Sequence, residues 1–454
     1  MTDAQYENWL ANLSANRILL AELHHAGGIE YVATGGFISR PTDANPNRPY
    51  IDILSKAVDI STRIDGVAGF GRLELFDNGE ITDWVDRAWH GHPIILRLGA
   101  PDWPLDDFRV LARGRNAGLK ESRRGVIMFD MEDESSIFDQ QIDTGELPDA
   151  SGPVPLALGS VYNAPAYLLS TAPYAFKASY LAVTALTPKD NGDDTVISTV
   201  DLANGSFELS ASLVGTLTVD IEEQHNTPLA VCQWVADYYG VPLGDVDLPS
   251  YTVGLYYNSD VTGRQILDEL CEGLGAYWYR NALGELVIQQ HKEALTPDLG
   301  LVVDEIEEDK IRLIDTQPPW RALTLRYRRN YSTLSTVSGD VEQNNPSEAA
   351  RLRNEWRESR ASQSVSYYPL AEQAERAERN SVIQNEADAN TERDRLLALR
   401  GVRRDVWSIE AFTPPVQAGM AIAVDHPRLA GRIGRVTNVN RSPTRGTTNL
   451  ELWL

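Results

Sequence analysis

The chain has few residues of the types that build disulfide frameworks and metal sites. Among its 454 residues are two cysteines, Cys232 and Cys271, and seven histidines. Two cysteines are too few for a disulfide framework or a four-thiolate metal site, so they favour a reducing compartment. No apolar run approaches the length of a membrane span, and the N-terminal residues are too acidic for a signal peptide. The sequence therefore predicts a protein that is made in the cytoplasm and has no membrane span.

Net positive charge is also lacking. The formal net charge is −24, and residues 341–454 are the part that carries no net negative charge. A surface of this sign disfavours binding to nucleic acid through neutralised phosphates. An acidic surface suits a conduit through which DNA slides, because it repels phosphates. Acidity also simply keeps a protein soluble, which accounts for most individual carboxylates.

The motifs of common enzyme classes are missing. The chain contains no Gly-x-Ser-x-Gly, no Walker loop and no His-Glu-x-x-His. The glycines within residues 66–71 run in the reverse spacing of a dinucleotide loop, so we assign them to tight β geometry. The pair His90 and His92, like the pair His24 and His25, has no third ligand nearby, and we interpret all four as surface or core residues. We expect no catalytic residue, no cofactor and no metal ion.

Two features keep carbohydrate chemistry open as an alternative. Asp130, Glu132, Asp133 and Glu134 form a carboxylate cluster, which could hold a hard cation or attack a glycosidic bond. The spacing of an EF-hand is absent, so a solvated acidic loop is the favoured interpretation. Ten tryptophans could form a sugar-stacking face, but most are spaced as core anchors.

The segment from residue 70 to 114 is the most informative part of the chain. Leu73 and Leu75 alternate with polar residues as in a half-buried strand, and Asp77-Asn78-Gly79 predicts a tight turn. Thr82 is the predicted N-cap of a short helix. The apolar positions of this helix are three to four residues apart and predict its buried face: Trp84, Val85, Ala88 and Trp89. Two further strands follow, one through Pro93–Gly99 and one ending at Gly114.

The order of these elements resembles the N-terminal barrel of baseplate hub proteins from long-tailed, siphovirus-type bacteriophages. These hub proteins are similar to the hub proteins of contractile phage tails. The matching parts are the Asn-Gly-type turn, the Trp-bearing helix, a strand ending in Arg97-Leu98-Gly99, the Asp102-Trp103 pair and a strand from Phe108 to Gly114. We interpret Trp84, Trp89 and Trp103 as anchors of this fold.

The middle of the chain continues the resemblance. After a run of turn formers at residues 145–153, the segment 155–165 is similar to an entry strand of the same hubs, and the region up to Ile221 predicts an all-β module. Helices are predicted for 227–240 and 261–275, the second with Leu267 and Leu270 on its buried face. With the hairpin at 276–290 they resemble the small α/β module that recurs in phage and secretion-system hubs.

Polar helices are predicted at 347–359 and 371–379, and a further helix at 387–399. The last strands resemble the closing barrel of the family, and in 447–454 Leu450 and Leu452 alternate toward a core. The predicted fold is therefore α+β, predominantly β, with two small β-barrels. Five domains are predicted: 1–150 (N-terminal barrel), 151–222 (β-rich), 223–300 (small α/β module), 301–401 (strand and helical connector) and 402–454 (C-terminal barrel).

The resemblance implies a structural virion protein of the tail tip and no enzymatic activity. It implies a homotrimeric baseplate hub that joins the tail tube, or a distal tail protein, to a central fibre or spike. Such a ring encloses a channel through which phage DNA passes without specific binding. A hexameric distal tail adaptor is the alternative in the same class. A carbohydrate-binding or carbohydrate-hydrolysing receptor protein is the alternative from a different class.

Overall fold

Strands dominate the chain in the computed structural model, which describes residues 1–12, 14–55, 58–64, 68–70, 72–123, 125–210, 212–281, 284–367, 375–412 and 416–454. The predicted fold class, α+β and predominantly β, is confirmed. The α-helices of the described residues are α1 (Asp3–Leu10), α2 (Pro228–Tyr239), α3 (Gly263–Gly273), α4 (Gly339–Asn344), α5 (Pro346–Arg353) and α6 (Glu386–Arg400). Short 3-10 helices are Thr82–Asp86, Leu105–Asp107, Glu134–Asp139, Pro148–Ala150 and Val303–Glu305.

The strands fall into an N-terminal, a middle and a C-terminal group. The N-terminal strands are β1 (Ile18–His25), β2 (Gly28–Ala33), β3 (Phe37–Ile38), β4 (Pro49–Asp52), β5 (Ile60–Arg63), β6 (Ala68–Phe70), β7 (Leu73–Phe76), β8 (Pro93–Gly99), β9 (Arg109–Arg123) and β10 (Val126–Asp133). The middle strands are β11 (Leu156–Pro165), β12 (Tyr167–Thr171), β13 (Tyr174–Lys177), β14 (Val183–Asp190), β15 (Asp193–Asp194), β16 (Ile197–Asp201), β17 (Ser206–Leu209), β18 (Leu217–Glu223), β19 (Leu243–Asp247), β20 (Gly254–Tyr257), β21 (Ala276–Arg280) and β22 (Leu286–Gln290). The C-terminal strands are β23 (Leu299–Val302), β24 (Ile306–Gln317), β25 (Trp320–Tyr327), β26 (Arg357–Ser362), β27 (Glu375–Asn380), β28 (Arg404–Phe412), β29 (Ala421–Asp425), β30 (Ile433–Ser442) and β31 (Thr447–Trp453).

The first sheet has the order β3-β4-β2-β1-β8-β9-β10-β7. Residues 53–55, which follow β4, bond to strands on both sides. The amide of Leu54 donates to Ala33 of β2 at 2.9 Å, and the amide of Ser55 donates to Glu74 of β7 at 2.8 Å. These bonds place residues 53–55 between β2 and β7, next to the core that contains Trp84 and Trp89.

The C-terminal sheet has the order β23-β29-β30-β31-β28-β24. Its end strands, β23 and β24, are consecutive in the chain and are joined by the 3-10 helix at 303–305, so the connection itself spans the gap between them. One core fills the space inside and contains Leu301, Ile306, Leu450 and Leu452. Strand β23 therefore spans the predicted domain boundary at 300/301. The pairing of β24 with β28 crosses the predicted domain boundary at 401/402.

The chain between these two sheets forms two further layers. The sheets β15-β14-β18-β11-β20 and β12-β13-β17-β16 enclose a shared core that contains Phe176 and Phe207. The sheet β19-β22-β21 packs with α2 and α3 over a core that includes Leu267 and Leu270. The helix and hairpin signals predicted this second layer well: Thr227 and Thr262 cap their helices.

The connector differs from the sequence prediction. The predicted helix at 347–359 ends at Arg353, and its last residues lie in β26. The helix predicted at 371–379 is wrong for residues 375–379, which belong to β27 and pair in parallel with β25; residues 371–374 lie outside the described residues. The backbone of β25 needs partners on both edges, and this pairing overrides the helical preference of the Ala/Glu/Arg segment. Helix α6 packs on the resulting sheet β26-β25-β27.

Candidate functional site

The junction between the N-terminal and C-terminal sheets is the candidate functional region. Strand β5 leaves the first domain and pairs antiparallel with β30, from Ile60 opposite Arg441 to Arg63 opposite Asn438. The hydroxyl of Ser61 donates to the side-chain oxygen of Asn438 at 3.0 Å. Each of these contacts joins residues that are nearly 380 positions apart in the chain.

The side chains of this segment belong to both cores. Ile60 packs in the core of the first sheet, whereas Ile64, four residues later, packs in the core of the C-terminal sheet. The amide of Ile64 also donates to the carbonyl of Thr437 at 3.1 Å. A segment that is buried in two cores at once fixes the two sheets side by side in one chain.

Helix α1 adds a second contact at this junction. Burial raises the pKa of Tyr6 on α1 to about 12 and lowers the pKa of Arg441 on β30, and the two groups also act on each other electrostatically. The Arg441 guanidinium donates to the carbonyl of Val416. The N-terminal helix therefore reaches the C-terminal sheet as well.

The predicted aromatic anchors lie as follows. Trp84 and Trp89 are buried, and the indole N–H of Trp89 donates to the carbonyl of Trp84 at 2.7 Å. Trp103 is half-buried, with its ring 4.5 Å from that of Trp9. Three details of the predicted helix are wrong. Val85 and Ala88 are exposed, and the helix is a 3-10 helix that ends at Asp86. Thr82 is its first residue instead of its N-cap, and the Thr82 hydroxyl donates to Asp77. The tighter turn of a 3-10 helix places residues i and i+3 on one line, which removes Val85 from the buried face.

The predicted leucine anchors all lie in cores. Leu267 and Leu270 of α3 are fully buried in the middle α/β layer. Leu450 and Leu452 of β31 are fully buried in the C-terminal sheet.

Two carboxylates of the predicted cluster, Asp130 and Glu134, pair with different basic side chains. Asp130 pairs with Lys120 at 2.5 Å and with Arg72 at 3.2 Å, and the Lys120 ammonium lowers the pKa of that carboxyl. Glu134 pairs with Arg280 of β21 at 3.1 Å. Each of these two carboxylates is therefore neutralised by basic side chains of the chain itself.

The histidines and cysteines lie apart from any ligand set. Within the described ranges, no group of three or more His, Cys, Asp or Glu residues could hold a metal ion. His90 contacts the carbonyl of Ala117 at 3.1 Å, and burial lowers the pKa of His24. Cys232 and Cys271 are buried free thiols, and burial raises the pKa of both. Of the three glycines within residues 66–71, those at 66 and 71 lie outside the described residues, and Gly69 lies in β6. No helix of the described part is long and apolar enough to cross a membrane.

Sequence reasoning missed a cavity of about 750 Å³ beside the junction. It lies where the end of β5, the C-terminal ends of α3 and α6, and strands β24, β30 and β31 meet. Four arginines line it, namely Arg63, Arg379, Arg400 and Arg435, together with His291 and the indoles of Trp320 and Trp453. These residues come from seven separate segments of the chain, so no spacing in the sequence indicates the cavity.

The lowered pKa of His291 makes the stability of the folded chain depend on pH. Burial, followed by the charges of Arg395, Arg400 and Arg435, lowers this pKa from 6.5 to about 4. Between these values the unfolded chain binds a proton that the folded chain rejects, so the free energy of unfolding falls as the pH falls from 6.5 to 4. We expect a loss of about 3 kcal/mol over this range. Urea unfolding of the wild type and of His291→Gln at pH 4.5 and pH 7 measures this loss of free energy of unfolding. An equal pH dependence in both proteins would contradict the lowered pKa of His291.

Comparison with known proteins gives structural neighbours only. No family model matches the chain, and no curated protein matches it. A tail protein from Neisseria meningitidis MC58 is similar in structure at 10% identity, with 97% of each chain covered and a TM-score of 0.49. The 43 kDa tail protein of prophage MuSo2 from Shewanella oneidensis is similar at 10% identity, with 96% of this chain and 98% of that chain covered and a TM-score of 0.46.

A prophage tail protein from Listeria monocytogenes EGD-e is a third neighbour. Its identity is 8%, the coverage is 97% of this chain and 94% of that chain, and the TM-score is 0.44. Solved structures of phage tail proteins are thus among the structural neighbours of this chain, which is the class that the sequence resemblance names.

Proposed function

We propose that this chain is a structural protein of a bacteriophage tail tip, in which three copies form a ring-shaped baseplate hub. The hub joins the tail tube, or a distal tail protein, to a central fibre or spike, and it resides in the virion. It has no catalytic role in this proposal. The order of the sequence motifs, from the Asn-Gly-type turn to the final strands, supports this reading.

The junction at β5 is the observation that carries the proposal. A ring must hold its shape while it transmits force between a tube and a spike. Ile60 in the core of the N-terminal sheet, Ile64 in the core of the C-terminal sheet and the β5–β30 ladder tie the two sheets together, which supports a rigid unit. Three chains then present six sheets around one axis, which allows a threefold assembly to dock on a sixfold tube.

The charge of the chain suits a channel for DNA. The net charge of the chain is −24, and an inner wall of the same sign would repel phosphates and let DNA pass without being held. We therefore expect the channel-facing residues to be acidic or neutral on balance.

A reconstruction of the intact particle tests the proposal. We expect three copies of this chain around the tail axis, each with its two sheets in one ring. The purified chain alone is a poor test, because the tube can serve as the template for assembly. Six copies would favour the distal tail adaptor, and copies located only at the periphery would favour a receptor-binding protein; both results would contradict the trimeric hub.

A further inference from the structure

The cavity beside the junction contains three arginines, Arg379, Arg400 and Arg435, that hydrogen-bond to uncharged groups in an acidic protein. Arg379, Arg400 and Arg435 line it, and within the described residues none of them forms an ion pair. Their hydrogen bonds go to neutral oxygens instead. Arg400 donates to the Gln317 side chain at 2.5 Å, and Arg435 donates to the carbonyl of Gly419 at 2.5 Å. Neighbouring arginines behave differently, as Arg395 and Arg404 pair with glutamates.

Two indoles hold the arginines in position. The Arg400 guanidinium lies 5.1 Å from the ring centre of Trp320 and 5.9 Å from that of Trp453. Arg379 lies 5.3 Å from the ring centre of Trp320. Stacking occupies the faces of a guanidinium and leaves its N–H edge available, and that edge matches a carboxylate. Burial lowers the pKa of Arg400; the carboxylate of Glu375 partly opposes this effect, and the charges of Arg379 and Arg404 add to it. A bound carboxylate would favour the charged form of this buried guanidinium.

The other walls limit the kind of anion. Glu272, Asp315 and Glu451 line the same cavity, so a polyphosphate or a nucleic acid backbone would be repelled. Ile314 also lines it and is 44% exposed, and the adjacent Leu313 is 43% exposed. A single carboxylate beside an apolar group fits this combination. The volume, about 750 Å³, is within the usual range for ligand sites and holds a few side chains.

We propose that this cavity binds a short segment of a partner polypeptide that presents one carboxylate to Arg379, Arg400 and Arg435 and an apolar side chain to the exposed Ile314. The carboxylate is that of an acidic side chain or of a chain terminus. The site is independent of the ring assembly, because every residue that forms it lies in one chain.

Fluorine NMR of protein labelled with 5-fluorotryptophan tests the site, with the resonances of Trp320 and Trp453 assigned by Trp→Phe variants. The probes are acetyl-Leu-Glu-Leu-amide, acetyl-Leu-Gln-Leu-amide, acetyl-Leu-Leu with a free carboxylate, and inorganic phosphate. We expect the two carboxylate peptides to shift both resonances, and the tighter of the two identifies the source of the carboxylate. The glutamine peptide is expected to bind about tenfold more weakly than the glutamate peptide, as for the loss of one charge-assisted hydrogen bond.

Two exposed arginines on β27 give a matched pair of variants. Arg379→Gln should weaken binding of the carboxylate peptides about tenfold, whereas Arg376→Gln, on the same strand but outside the cavity lining, should leave it unchanged. Equal binding of the glutamate and glutamine peptides, or equal effects of the two variants, would overturn the proposal. Tighter binding of phosphate than of the peptides would also overturn it, because the site would then be one for small anions. An absence of any shift would exclude the site.

Discussion

Replacement of Leu452 by alanine is expected to destabilise the C-terminal sheet by about 2–5 kcal/mol. Leu452 is fully buried on β31, between β28 and β30, and it packs in the same core as Leu450 and Ile409. A loss of this size is a large part of the stability of an ordinary domain. The change also acts on the junction, because β30 is the strand that holds β5.

Leu313→Ala is the matched control for this prediction. Leu313 lies on β24 of the same sheet and is 43% exposed, so the same chemical change leaves no cavity there. Urea unfolding of both variants, followed by tryptophan fluorescence, measures the difference. A similar free energy of unfolding for the two variants would mean that the core of the C-terminal sheet lies elsewhere.

The helix and hairpin layer could be predicted because its signals are local. Thr227 and Thr262 accept hydrogen bonds from backbone amides three residues later, and Gly240 ends α2 with φ of +63°. Each of these signals lies within a few residues of the element that it delimits. The apolar spacing of α3 placed Leu267 and Leu270 on the correct face for the same reason.

The junction could not be predicted because its partners are distant. The pattern of β5 indicates a strand, but the same pattern suits pairing within the first sheet or with β30. Only the three-dimensional arrangement decides that Ile60 and Ile64 enter different cores. The cavity arginines were missed for a related reason, since an arginine without an ion pair looks like any other arginine in the sequence.

Trp84→Ala is expected to destabilise the first sheet by about 3–5 kcal/mol, because the removed indole leaves a cavity. Trp84 is 2% exposed, and its ring packs against the ring of Trp89. The Trp89 ring in turn contacts the ring of Phe129. The Trp84 carbonyl also accepts the hydrogen bond from the Trp89 indole, so a collapse around residue 84 would disturb that contact. Chemical denaturation of the wild type and the variant measures the loss.

Val85→Ala provides the control, because Val85 follows Trp84 in the same 3-10 helix and is 51% exposed. We expect its free energy of unfolding to stay within about 0.5 kcal/mol of the wild-type value. The comparison also separates the tail protein from the carbohydrate-binding alternative. A tryptophan that stacks on a sugar must be accessible, so its loss would abolish sugar binding and leave stability nearly unchanged. If Trp84→Ala behaved in that way, with a stability close to that of Val85→Ala, the role of Trp84 as a core anchor would be refuted.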